Sequence, residues 1–239
     1  MQTNRKMPQG FFWGNSVSSM QTEGAWDIGG KGLSVYDVRT ADENSSDWHV
    51  AIDKYHRYEE DLDLMAEMNM NMYRIQISWS RVNPQGDGEF NEEGIAFYDC
   101  LVDAMLKRGI EPMICLYHFD MPLNLAKNGD GFMSRHVVDA FVHENYDDVK
   151  FGGMLAYTPA YPAASRLKDV FLADRATEFL IYNFCDLFAN GHYSLAVEHF
   201  IKENKLDMDF LESDREILSK MIRESNIIVI TSSDKRRNV

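Results

Sequence analysis

Short apolar runs alternate along this chain with longer stretches in which apolar residues recur at helical spacing. The first run, Phe11 to Ser16, predicts a strand, and a loop rich in Gly, Ser and Asp follows from Gly29 to Asp47. Tyr55, Tyr58, Leu62, Met65 and Met68 then share one face of a helix predicted over about residues 52–68. A second strand is expected over 73–78. Asn91 is placed to cap the next helix, which carries Ile95, Tyr98, Leu101, Val102 and Met105 on its apolar face as far as Lys107. Gly109 is its expected stop, and a third strand is expected over 111–117.

Further along, the pattern predicts a helix over 134–145 and a strand over 149–156. A loop with Pro159 and Pro162 leads to a long helix over 170–189, stopped by Gly191. Helical segments over 194–203 and 214–223 and a short apolar strand over 227–230 complete the pattern. Residues 231–239 are polar and basic and read as a disordered tail. This alternation of strand and helix predicts an α/β fold with parallel strands, in one domain over residues 1–230.

A doubly wound sheet and a (β/α) barrel both fit the alternation. Polar residues gather just after the strands, at Gln21, Ser78 to Arg81 and His118 to Asp120, where barrels build their sites. No GxGxxG follows the first strand and no Walker-type loop is present. A (β/α)8 barrel needs eight strands in about 250 residues. About five strands are legible here, so the expectation is an incomplete TIM barrel.

The composition excludes several classes. The chain has 239 residues, 24 Lys+Arg against 38 Asp+Glu, and a formal net charge of -14. That balance disfavours a nucleic-acid partner. Cys100, Cys115 and Cys185 form no CxxC pair and are expected to be buried free thiols, which suits a reducing cytoplasm. The first residues lack the apolar core of a signal peptide, and no apolar run reaches the length of a membrane span. Asn44-Ser45-Ser46 matches a glycosylation triplet, a pattern that arises often by chance. His192 and His199 have no third ligand at metal spacing, so no metal is expected.

The candidate chemistry is that of sugar recognition. The Gln21 amide offers a donor and an acceptor to adjacent hydroxyls, and His118 offers a ring nitrogen at a strand end. Trp79 and Phe119 could supply flat faces for a pyranose, although a Trp in this position more often belongs to a core. Arg74 is a cation inside a strand otherwise suited to burial and needs an anionic partner, with Glu23 and Asp120 as nearby choices. Lone Gln and His residues are more often structural. Three strand ends of the same polar character shift the balance.

The segment FFWGNSVSSMQTEGA (Phe11 to Ala25), with Tyr73 to Arg81 and Tyr117 to Pro122, resembles glycoside hydrolase family 1. Met20 departs from the aromatic, Asn or His usual there. MPQGFFWG, ICLYHFDMP and GFMSRHVVDAFV resemble its 6-phospho-β-glucosidase branch, and the resemblance runs from about Met7 to Asn226. It implies a (β/α)8 barrel, a cytoplasmic location, no cofactor, and retaining hydrolysis of β-glucosides or 6-phospho-β-glucosides. It also implies that Gln21 and His118 bind the non-reducing sugar and that Arg74 supports the nucleophile. The family's acid/base motif, Thr-Phe-Asn-Glu, and its nucleophile motif, Thr-Glu-Asn-Gly, are both absent.

After Phe141-Val142 the chain passes at once to His143-Glu144-Asn145, which resembles a later part of the family pattern. Glu144 is therefore not the acid/base by this alignment. An internal deletion and a truncated C-terminal side are expected, with no catalytic residue present. The alternatives are a sugar-binding remnant, or a non-functional product prone to self-association through uncovered strand edges.

Overall fold

The computed structural model describes residues 7–41, 43, 47–128, 131–141, 154–157, 160–206, 214 and 228–231. The triplet Asn44-Ser45-Ser46, the segment around Glu144, Pro159, the helix expected beyond Asp214 and the tail beyond Thr231 lie outside them. The chain divides into two compact units, Met1–Glu144 and Asn145–Val239.

In the first unit, β1 (Gly14–Ser16), β2 (Met72–Gln76) and β3 (Glu111–Cys115) form a parallel sheet in the order β1-β2-β3. The register pairs Ser16 with Arg74, Ile75 with Ile114, and Gln76 with Cys115. Successive side chains of a strand point to opposite faces. Tyr73 and Ile75 therefore enter the core with Leu62 and Met65 of α2 (Lys54–Glu67) and Phe97, Leu101 and Met105 of α4 (Glu92–Lys107). Arg74 and Gln76 are left for the other face. Both crossover helices share one core, and the strands run in chain order without the reversal of a doubly wound sheet. That is the arrangement of a barrel wall.

β1 is shorter than expected, and just before it the chain is tied to Asn71, whose backbone N donates to Trp13 O at 2.8 Å. Trp13 N donates to Asn71 Oδ1 at 2.7 Å. β2 and β3 end early because the chain turns there into loops that carry polar groups. Asn91 occupies the N-cap position of α4, but its side chain does not bond the helix. Its amide donates to Gly29 O (2.6 Å) and Arg81 O (2.9 Å), and Glu92 and Glu93 complement the helix dipole instead. Gly109 ends α4 as expected, at φ 69°, with Ile110 N donating to Met105 O. Cys100 is exposed, against expectation, because it lies on the outer side of α4, whereas Cys115 is buried.

The long polar loop is pinned down. Lys31 pairs with Asp37 at 2.6 Å, Val35 N donates to Met121 O, and Leu123 N donates to Leu33 O. Two short helices, α1 (Ser19–Thr22) and α3 (Trp79–Val82), follow β1 and β2 directly. After β3 come α5 (Leu123–Asn128) and α6 (Arg135–Phe141), which with Trp79 and Met121 build a second small core.

In the second unit, β4 (Met154–Tyr157) pairs in parallel with β5 (Ile228–Thr231). The long predicted helix is α7 (Leu167–Thr177) and α8 (Asn183–Asn190), joined by a π turn at Glu178–Tyr182 and ended by Gly191 at φ 73°. α9 (Leu195–Glu203) begins after Ser194. Five strands are thus described, the number the alternation predicts.

Leu101 is fully buried between α4 and the sheet. Leu101→Ala should lower stability by about 2–5 kcal/mol, the range for cavity-forming truncations. A urea midpoint equal to that of the parent chain would refute the placement of this core.

Candidate functional site

Parallel strands put their C-terminal ends on one side. The residues after β1, β2 and β3 therefore meet at a common rim: Ser19 to Glu23, Ser78 to Arg81, and His118 to Asp120.

Glu23 is buried at this rim. Its carboxylate accepts from Arg81 Nε at 3.0 Å and from the Tyr98 hydroxyl at 2.5 Å. Burial, and then the Glu23 charge, push the Tyr98 hydroxyl well above its usual pKa, so it stays a donor. Arg81 is wholly buried. Its remaining donors reach Ile28 O, Gly24 O and Ala25 O at 3.2–3.3 Å, and the guanidinium lies 4.5 Å from the centre of the Tyr55 ring. Gly94 permits this packing, since a Cβ there would stand 2.2 Å from Arg81 O.

Asp120 is 1% exposed. It accepts from Ser19 Oγ at 2.9 Å and from the Gln76 amide. Burial raises its carboxyl to about 6, opposed by the Ser19 hydrogen bond. Phe119 makes the turn before it at φ 71°, an uncommon conformation for an aromatic residue, and remains 62% exposed. A small cavity between the rim loops is lined by Ser19, Glu23, Ser78 and Asp120, and by neither Gln21 nor His118.

Gln21 is exposed, and its amide oxygen accepts from Ser18 Oγ at 2.7 Å. His118 is half-buried. Burial, and then the nearby Arg74, lower the pKa of its imidazole, and its Nδ1 is buried without a hydrogen-bond partner. Arg74 pairs with neither Glu23 nor Asp120. It donates to Ser16 Oγ at 3.1 Å and to Cys115 Sγ at 2.8 Å, because Arg81 already occupies Glu23 and Asp120 faces Gln76. Trp79 is core rather than a sugar platform, 7% exposed, with its indole N–H on Gly86 O. Among the described residues no group of three His, Cys, Asp or Glu side chains could hold a metal.

Gln76 and Ser19 were not singled out in the sequence, Arg81 figured there only in the polar run after the second strand, and Tyr98 only on the apolar face of a helix. A signal for Gln76 was present, since Arg74 and Gln76 alternate with Tyr73 and Ile75 as a polar inner face.

The family model described as glycosyl hydrolase family 1 matches residues 3–151. The chain belongs to glycosyl hydrolase family 1. It is 32% identical over 300 residues to the aryl-phospho-β-D-glucosidase BglH of Bacillus subtilis, with 92% of this chain and 63% of the relative covered. The aryl-phospho-β-D-glucosidase BglA of the same organism is 49% identical over 152 residues, covering 57% of this chain and 32% of the relative. Among solved structures, a rice β-glucosidase mutant in a covalent complex with Glc matches with a TM-score of 0.78 at 25% identity, covering 94% of this chain and 64% of that one.

The chain thus spans under two thirds of the length of these relatives. Its fold is that of the family's (β/α)8 barrel, represented in part. The 300-residue match to BglH exceeds the 239 residues of this chain, so within the matched region that family member carries residues with no counterpart here.

Two predictions follow from the rim geometry. Arg81→Ala leaves the Glu23 carboxylate buried without its cation and should cost about 3–5 kcal/mol. An unchanged urea midpoint would contradict the pairing. Asp120 has a folded-state pKa above its unfolded value of 3.8, so its protonated form favours folding. That contribution is complete below about pH 4 and is lost as pH rises through about 6. The stability difference between the parent and Asp120→Asn should therefore fall from pH 4.5 to pH 7. A constant difference across that range would count against a raised Asp120 carboxyl.

Proposed function

We propose that this chain represents part of a retaining β-glucosidase of the kind that takes 6-phospho-β-glucosides, and that its 239 residues do not themselves cleave the bond. Family membership and the two aryl-phospho-β-glucosidase relatives support the substrate class. Neither catalytic Glu motif of the family occurs in the sequence. The residues present in BglH but not here support an internal deletion.

One observation carries the second half of the proposal: both carboxylates at the rim are already in use. Retaining hydrolysis needs two carboxyls about 5 Å apart across the scissile bond, one to attack and one to transfer a proton. Glu23 is spent on Arg81 and Tyr98, and Asp120 on Ser19 and Gln76, at 3% and 1% exposure. Acid/base assistance alone is worth roughly 10²–10⁴-fold. Purified protein should release no chromophore from p-nitrophenyl β-glucoside or its 6-phosphate above the rate in buffer. Turnover at the level of full-length family members would overturn the proposal.

A second reading is a sugar-binding remnant. The exposed Gln21 amide and the exposed Phe119 ring favour it. Titration calorimetry with glucose and glucose 6-phosphate decides the matter: no heat at millimolar ligand rejects it. The reducing cytoplasm remains the proposed setting. No helix among the described residues is long and apolar enough to cross a membrane.

Self-association is also proposed. Among the described residues, β1 and β3 each pair on one side only, and Phe12, Trp13, Ile114 and Leu116 are 41–55% exposed. Sedimentation velocity at micromolar protein should show species larger than one chain, and a single monomeric boundary would reject this.

A further inference from the structure

One edge of β3 is open. Glu111 N donates to Asn71 O and Ile77 N donates to Cys115 O, so the backbone of residues 111, 113 and 115 is turned toward β2. The C=O and N–H of a trans peptide point opposite ways. Pro112 O, Ile114 N–H, Ile114 O and Leu116 N–H are therefore turned away from β2. Among the described residues none of these four groups has a hydrogen-bond partner. Ile114 and Leu116 are 41% and 48% exposed, and Ile114 shares its face of the sheet with its register partner Ile75.

The other outer strand offers less. In β1 the same alternation turns Ser16 N–H away from β2, because Val17 N donates to Arg74 O and Trp13 O accepts from Asn71 N. That donor is already taken by Asn15 Oδ1 at 2.7 Å. Gly14 N–H is left as the outward donor of a three-residue strand. A strand added to this sheet finds its row of donors and acceptors along β3.

We propose that β3 pairs with β3 of a second copy of this chain, antiparallel about a two-fold axis at Ile114. This rests on the self-association proposed above and names its edge and register. Each Ile114 N–H donates to Ile114 O of the other copy, and each Leu116 N–H donates to Pro112 O of the other copy. Every copy brings two donors and two acceptors, and the two-fold matches all of them. The N–H that Pro112 lacks therefore leaves no donor unpaired. The facing side chains are apolar, with Ile114 against Ile114 and Pro112 against Leu116. Glu111 falls opposite Tyr117 and not opposite another Glu111. An edge complementary to itself in this way makes an isologous contact, which closes at two copies. The net charge of -14 on each chain opposes the pairing, and salt screens that repulsion.

The test is sedimentation velocity of the full chain over a concentration series, with hydrogen–deuterium exchange of the Ile114 and Leu116 amides. The parent chain should show a monomer–dimer equilibrium that tightens as sodium chloride is raised. The two amides should exchange more slowly as the dimer fills. Ile114→Pro removes the central donor and no bond to β2, and should weaken dimerisation by about tenfold or more. Ile114→Lys sets like charges face to face and should also weaken it, and it decides the matter if Ile114→Pro does not fold. A single monomeric boundary throughout overturns the pairing together with the self-association. A dimer undiminished in both variants, or growth into an open series beyond two copies, overturns the β3 register and leaves self-association through another surface. Amides equally protected at every dilution show an edge covered within one chain, and they overturn the register as well.

Discussion

The rim of this molecule depends on one buried ion pair, Glu23 with Arg81. Taking two charges out of water is expensive, and here each partner is held by further hydrogen bonds that offset the cost. Arg81 divides its donors between the carboxylate and three backbone oxygens of the 24–28 segment. Glu23 takes its second bond from Tyr98, whose hydroxyl also accepts from Ser78 N. Three separate stretches, the turn after β1, the turn after β2 and the face of α4, are thereby tied at one point. Gly94 leaves room for the Arg81 backbone carbonyl, and Tyr55 and Phe97 wall the guanidinium.

Asp120 ties in the third strand. Its bonds to Ser19 and Gln76 connect the turn after β3 to α1 and to the inner face of β2. Positive φ at Phe119 turns the aspartate inward and leaves the ring in solvent. The rim is therefore a cross-linked polar layer, and its carboxylates serve as structural acceptors.

The periodic part of the architecture was legible in the sequence. Tyr55, Tyr58, Leu62 and Met65 face one core with Tyr98, Leu101, Val102 and Met105 as their spacing predicts, whereas Met68 is exposed and Ile95 stands outside that core, and the strands follow one another in chain order. The polar residues at three strand ends meet at one rim, as the alternation of strand and helix implies. Partner choice was not legible. Arg74 and Arg81 both lie in one strand-to-helix stretch, and only three-dimensional packing shows that Arg81 takes Glu23. Trp79 carried the same ambiguity, and its indole bond to Gly86 O settles it as core. The Asn91 cap failed for a related reason, since a side chain that can bond a helix can also bond a loop carbonyl.

Holding a sugar and breaking its bond make opposite demands on the same rim. Recognition can be met by neutral or committed groups, such as an exposed amide, an imidazole and an aromatic face. Cleavage needs carboxyls free to give and take a proton and to form a covalent bond. In this chain the free groups at the rim are neutral, and the acidic ones are locked into the scaffold. Releasing Glu23 or Asp120 for chemistry would undo the ties that join the turns after β1, β2 and β3. The bonds that hold these strand ends together are thus the same ones that occupy both carboxylates.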